Sequence, residues 1–261
     1  MVETEFTRSL PDGPIGEAQG GYLLTYSRAG GGLEVTAERG GDRVSGQIDW
    51  AIGAGDQGVT PLVSLGGRWL EHRLSYYTKP GRFDLTLGHK PGVSESARRA
   101  IGIAQPEATI RACLGCHATL GKGTAVVKAG VDCERCHIGA GVHAVGGAPP
   151  AKAAARQMET CAGCHRLTPP NGDWNDPLNI RFQPLRLAKS KCYLDGRLGC
   201  VSCHPAHENA RRSDAKFYEA RCATCHATPH RPEGCLDCHM PKSSPAPYLT
   251  FTDHNIRIIR K

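Results

Sequence analysis

The sequence predicts an α+β chain: a small N-terminal antiparallel β domain, then a mostly irregular, short-helix domain wrapped around stacked prosthetic groups. Three observations carry this prediction. Residues 21–90 alternate apolar and polar side chains in short runs separated by glycine turns. After Pro91-Gly92 the alternation gives way to short helical stretches rich in cysteine and histidine. Finally, the region from Cys113 to His239 repeats one five-residue pattern six times, at about 21 residues per copy. That is too little protein to build a side-chain core around each copy. The expected division is a tail or arm over 1–20, a β domain over 21–92 and the motif-bearing domain over 93–261.

Residues 1–20 carry Pro11 and Pro14 without periodicity, which reads as an arm. Strands are expected at 22–26, 33–37, 44–50, 62–65, 68–77 and 82–87. Gly30–Gly32 and Gly40-Gly41-Asp42 are the expected hairpin turns, with Gly66-Gly67 and Pro80-Gly81 punctuating the later strands. The role expected for this domain is a cover over the prosthetic groups. A short helix should begin at Pro106-Glu107, with proline at the first helical position. Helices are also expected over 152–164 and from an N-cap at Ser213 to Cys222. Gly139–Gly147, Pro149-Pro150 and 168–177 read as loops.

The six repeats are Cys113-x-x-Cys116-His117, Cys133-x-x-Cys136-His137, Cys161-x-x-Cys164-His165, Cys200-x-x-Cys203-His204, Cys222-x-x-Cys225-His226 and Cys235-x-x-Cys238-His239. C-x-x-C-H is the attachment pattern of haem c. Both thiols form thioethers to the haem vinyl groups, and the adjacent imidazole is the proximal iron ligand. Zinc ribbons and disulfide frameworks also use paired cysteines, but neither requires a histidine after every second one. Six haem c groups would supply most of the apolar interior, which fits an aromatic content of only 6% and predicts that the haem-free chain does not fold.

The formal charge of +7 would suggest an acidic partner. Six haems, however, bring about twelve propionates, offset by about one positive charge per ferric core. The 32 Lys and Arg then read as propionate partners and solvated surface. No nucleic-acid-binding motif is present, and no apolar run has the length of a membrane span. Covalent haem attachment takes place outside the bacterial cytoplasmic membrane, so a periplasmic or extracellular location is expected. Met1–Phe6 is not a signal peptide; an export signal would have been removed, or this chain is part of a longer protein.

Several further segments resemble a group of bacterial multihaem c-type cytochromes whose haem region often precedes tetratricopeptide repeats. They are Ile52–Gly55, Leu74–Tyr77 with Gly81–Phe83 and Gly88, Val131–His137 with His143, and Arg156–His165. Ser190–Tyr193, Cys200–His204 with His207, Cys235–Lys242 and Thr252–His254 complete them. The resemblance spans about residues 45–258. It implies electron carriage outside the cytoplasm by predominantly bis-histidine haems. Where the group commonly has a histidine after Ile-Gly-x-Gly, this chain has Asp56-Gln57, so a nearby haem would take its sixth ligand from His89 or His72. The chain also stops at Lys261, where relatives continue into repeats, as a short form or an excised module would.

Six histidines lie outside the motifs: His72, His89, His143, His207, His230 and His254. Their number would allow every iron a second imidazole, the arrangement suited to outer-sphere electron transfer. Met158 and Met240 are alternative thioether ligands, and Cys192 is the one cysteine outside the motifs. The expected function is electron carriage along closely spaced haems between redox proteins or extracellular acceptors. Subunits stacked into an extracellular filament, through residues 1–20 or His254, are one expected form. The competing expectation is an oxidoreductase acting on a small nitrogen or sulfur compound at one open haem.

Overall fold

A computed structural model of the chain describes residues 5–11, 15–16, 21–29, 32–120, 126–137, 140–147, 157–196, 198–227, 230–231 and 233–258. The chain divides into two compact units, Met1–Val131 and Asp132–Lys261. The first motif therefore belongs with the β structure, and the division falls well beyond the expected one at 92. The reason is local. Ile110 and Leu114 of the motif-bearing helix are buried against Leu62 of the sheet, with Trp50, Ile52 and Trp69 around them.

The first unit is a meander of β1 (Ile15–Gly16), β2 (Leu23–Ala29), β3 (Gly32–Arg39), β4 (Asp42–Ile52), β5 (Gly58–Leu65) and β6 (Arg68–His72). Each strand pairs antiparallel with its neighbour, and β9 (Gly102–Ala104) closes the far side against β6. The Arg39–Asp42 pair closes the β3–β4 hairpin, with Gly40 at φ +61° as such a tight turn requires. Gly30 and Gly31 of the other expected hairpin lie outside the described residues. The long strand expected over 68–77 is two strands, because the chain breaks step at Arg73. There the Arg73 N–H donates to Ile101, and β7 (Leu74–Tyr77) moves on to pair with β5 and with β8 (Arg82–Leu85).

One face of the sheet buries Leu24, Leu33, Val35, Ala37, Ile48, Val63 and Leu70, covered by α2 (Ala97–Ile101). Ser96 caps α2 by accepting from the Arg99 N–H, and the Asp42 carboxylate accepts from the Ala97 N–H. A bulge at Asp49 between Ile48 and Trp50 shifts the register. Trp50 thereby joins the second cluster instead of continuing the face of Ile48. The other face of the sheet is thus apolar as well, and α3 (Glu107–His117) packs there. Pro106 stands at the N-cap of α3, one position before the expected one.

The expected arm is part of this core. Phe6, on α1 (Glu5–Arg8), is fully buried and meets Tyr26 and Phe83 edge-on at 5.8 and 5.4 Å. β1 extends the sheet beside β2. The isolated hydrophobic at position 6 gave no periodic signal, yet it fills the space where β2 and β8 diverge. A short hairpin of β10 (Ala118–Leu120) and β11 (Val126–Ala129) follows α3.

The second unit contains short pieces: α4 (Ala140–Ala144), α5 (Gln157–His165), α6 (Gln183–Leu187), α7 (Lys191–Leu194), α8 (Ala215–Ala223), α9 (Cys235–His239) and a terminal hairpin of β12 (Lys242–Ala246) and β13 (Leu249–Thr252). Residues 152–156 of the expected third-motif helix lie outside the described residues. Asp214, not Ser213, caps α8, accepting from the Phe217 N–H at 3.0 Å. Both clusters of buried hydrophobic side chains belong to the first unit. In the second, the buried hydrophobics among the described residues are Ile180, Phe182, Leu185 and Leu187. That is far short of a core for some 130 residues. No helix among the described residues is long and apolar enough to cross a membrane.

Truncating Phe6 to alanine should cost the first unit about 3–5 kcal/mol. Chemical denaturation of the loaded protein, followed by far-ultraviolet circular dichroism, measures this. A change under about 1 kcal/mol would return residues 1–20 to the status of a detachable arm.

Candidate functional site

The six motifs share a local geometry. The first closes α3, the third closes α5, the fifth begins in the last turn of α8, and the sixth is α9 itself. The second and fourth sit on 3₁₀ turns, Cys133–Arg135 and Cys200–Ser202. In the second, fourth and fifth, the histidine N–H donates to the carbonyl of the first cysteine, at 2.8, 3.0 and 3.0 Å. This helical closure places both thiols and the imidazole on one side of a single turn. Asp132 caps the second motif through the Cys133 N–H. At the fourth, the Gly199 N–H donates to the Ser202 hydroxyl.

The thiols of successive motifs in the second unit are neighbours. All thirteen cysteines are free thiols in this structure. Burial, followed by the neighbouring Cys161 and Cys164, pushes the Cys136 thiol up. Burial and then Cys200 push Cys161 up to about 11. Burial and then Cys203 and Cys235 raise Cys222. The attachment points therefore form a sequence, from the second motif to the third, fourth, fifth and sixth. Cys192 lies within reach of this sequence, acting on both Cys203 and Cys222.

Three motif imidazoles each face an imidazole from outside the motifs. Ring centroids are 6.0 Å apart for His137 and His207, 6.1 Å for His204 and His254, and 5.7 Å for His239 and His230. Two metal–imidazole bonds of about 2.0 Å on opposite sides of one atom put ring centroids roughly 6 Å apart. The angle between the planes is free, because each ring turns about its metal–nitrogen axis; here it is 40°, 24° and 77°. These residues fit a metal with one imidazole above and one below, as a haem iron has. Among the described residues no cluster of three or more His, Cys, Asp or Glu is placed to hold a metal ion, and a haem iron needs only two protein ligands.

The outer hydrogen bonds leave the correct nitrogen available. His239 Nδ1 donates to the Arg257 carbonyl at 2.9 Å, and His254 Nδ1 to the Thr252 carbonyl at 3.0 Å. His165 Nδ1 donates to the Gln183 side-chain oxygen at 3.0 Å, and His143 Nδ1 to the Gly147 carbonyl at 3.2 Å. A carbonyl oxygen only accepts, so Nδ1 carries the proton and Nε2 keeps its lone pair, the arrangement found at metal-bound histidines. Burial, then neighbouring His165, pushes His204 down, and burial pushes His254 down. Both rings are neutral at neutral pH, the form that ligates.

A clamp that the sequence did not reveal fixes His254. The Asp253 carboxylate accepts Arg186 Nε and Nη2 at 2.8 and 2.7 Å, and Arg257 Nη1 at 2.6 Å. The Ser190 hydroxyl donates to the His254 carbonyl and accepts the Ile256 N–H. Burial would raise the Asp253 carboxyl, but the bonds from Arg186, the Asn255 N–H and Arg257 hold it at about 2. Arg186 and Ser190 lie more than sixty residues from Asp253 and His254, which is why no local pattern betrayed them.

The two β-domain histidines divide sharply. His72 is fully buried; Tyr26 Oη lies 2.7 Å from Nε2, and Nδ1 meets the Ile101 carbonyl at 2.5 Å. With both nitrogens occupied beneath the sheet, it is a core residue and cannot reach a porphyrin face. His89 is also buried, but neither of its ring nitrogens has a hydrogen-bond partner. Its Nε2 lies 3.5 Å from Glu71 Oε2. Glu71 accepts from Gln105 at 3.0 Å and is among the charges that raise Cys113 of the first motif, after burial. His226 is exposed and has no imidazole facing it among the described residues. No protein-family model, curated protein or solved structure matches the chain.

Burial holds His72 at about 4, against 6.5 when exposed. The native state thus binds fewer protons than the unfolded one between these values, so stability falls as pH drops from about 6.5 to about 4. The loss should approach about 3 kcal/mol. His72→Gln should flatten that dependence, read from denaturation midpoints of the β unit at pH 7 and pH 4.5; an unchanged slope would mean that His72 is not the group responsible.

Proposed function

We propose that the chain is a hexahaem c-type cytochrome that carries electrons outside the cytoplasm. The observation that carries this reading is the pairing of His137, His204 and His239 with His207, His254 and His230 at the span of a shared iron. Each pair joins one motif imidazole to one from elsewhere in the chain, which no zinc ribbon or disulfide framework would require. Two further features support it: the contiguous order of attachment thiols and the scarcity of buried side chains in the second unit. Resemblance to bacterial multihaem cytochromes points the same way.

Under this reading the cysteine pairs anchor six haems, and the motif histidines hold one axial position of each. Bound haem supplies reversible one-electron chemistry. The protein holds the second imidazoles in place, so that little rearranges when the charge changes, and excludes water from the haem edges. Partners are redox proteins or extracellular electron acceptors. Subunits stacked into a filament would extend the same path.

A second reading is favoured by one observation, the burial of His72 away from any haem site. An oxidoreductase acting on a small nitrogen or sulfur compound needs an iron without a second imidazole, and His72 is not available to fill that place.

Expression with a secretion signal in a bacterium competent for haem c maturation, then a pyridine haemochrome assay and intact mass, should give six covalent haems per chain. Free thiols with bound zinc and no haem would exclude the proposal. His207→Ala, His230→Ala or His254→Ala should each convert one haem of the six from low-spin to high-spin ferric by electron paramagnetic resonance. Arg186→Ala, which removes the clamp on Asp253, should loosen His254 in the same spectrum while leaving the haem count at six.

A further inference from the structure

Imidazoles fall one short of irons. The chain has 12 histidines, of which six belong to the motifs. His72 is held at both nitrogens inside the β core, so five remain for six irons. Exchange of ligands between identical copies does not repair the deficit, because a copy that receives an imidazole from its neighbour must give one to another. Within any assembly of this chain alone, one iron per copy lacks a second histidine.

The structure narrows where that iron sits. In the first unit the only motif is Cys113–His117, and the remaining imidazole is His89. Its unbonded nitrogens and its carboxylate neighbour Glu71, which also acts on Cys113, put it at that motif. In the second unit four non-motif histidines serve five motifs. His207, His254 and His230 face His137, His204 and His239. His143 rides on α4, whose Gly141 N–H is tied to Glu134 within the second motif. The thiol of Cys136 there neighbours Cys161 and Cys164 of the third motif, so His143 is placed for the third iron. The fifth motif is left. Cys225 and His226 are both exposed, open to a small molecule from solvent.

We propose that the haem at Cys222, Cys225 and His226 has no histidine opposite His226 and binds a small exogenous ligand there, a diatomic molecule or a compact nitrogen or sulfur anion. This rests on the hexahaem reading and turns one of the six carriers into a ligand-binding haem. The other five remain low-spin and connect it to the electron path.

The test uses carbon monoxide on the reduced, fully loaded protein, with haem content measured on the same sample. One carbon monoxide per six haems, and one high-spin ferric haem in six at low temperature, is the expected result. Cys222→Ala with Cys225→Ala should leave five haems and abolish the uptake, whereas His72→Gln should leave uptake at one. Six haems with no uptake and a wholly low-spin ferric spectrum would overturn the proposal. So would a thiolate-type low-spin spectrum that disappears in Cys192→Ala, or uptake that survives loss of the fifth haem. A second carbon-monoxide-binding haem in His72→Gln would overturn the count itself. A haem content well below six would instead overturn the proposed function.

Discussion

The second unit cannot hold itself together with side chains, and that constraint governs most of what surrounds it. Few of its hydrophobic residues are buried, while Val142, Val145, Trp174 and Leu194 lie exposed. A chain of that size normally buries a large apolar interior on folding. Its short helices and 3₁₀ turns instead fix the positions of cysteines and histidines, each turn closed by one or two backbone hydrogen bonds. An arrangement of this kind is stable only when something large and apolar occupies the space between the turns. On the proposed reading, the haems are both the cofactor and the core.

The first unit contrasts with it in every respect. Its sheet is apolar on both faces, through the bulge at Asp49 that sends Trp50 to the side opposite Ile48. One face is closed by α2 and Phe6; the other receives α3, and with it the first motif. This gives the β domain a more specific part than the expected cover. It is the platform on which Cys113–His117 is built, and His89 and Glu71 lie beside that motif.

The strands were legible because alternation with period two is a local property, and most expected runs fall within the observed ones. Where expectation and structure differ, the deciding contact is distant in sequence. Phe6 is anchored by Tyr26 and Phe83, His72 by Tyr26 and Ile101, and the break at Arg73 by Ile101. Asp214 in place of Ser213 is a smaller case: two adjacent capping residues compete, and the one whose carboxylate reaches the Phe217 N–H sets the start of α8.

The sequence alone determined the six attachment motifs, their order and the two pools of histidine. A thioether-forming pair with its adjacent imidazole occupies five consecutive residues and needs no partner from elsewhere. It could not determine which second imidazole meets which motif, since those partners come from opposite sides of a shared metal and are up to seventy residues apart. Only the tertiary structure joined His137 to His207, His204 to His254 and His239 to His230. By burying both nitrogens of His72 it also withdrew one member of the second pool, because a hydrogen-bonded ring beneath a sheet has no lone pair to offer a metal.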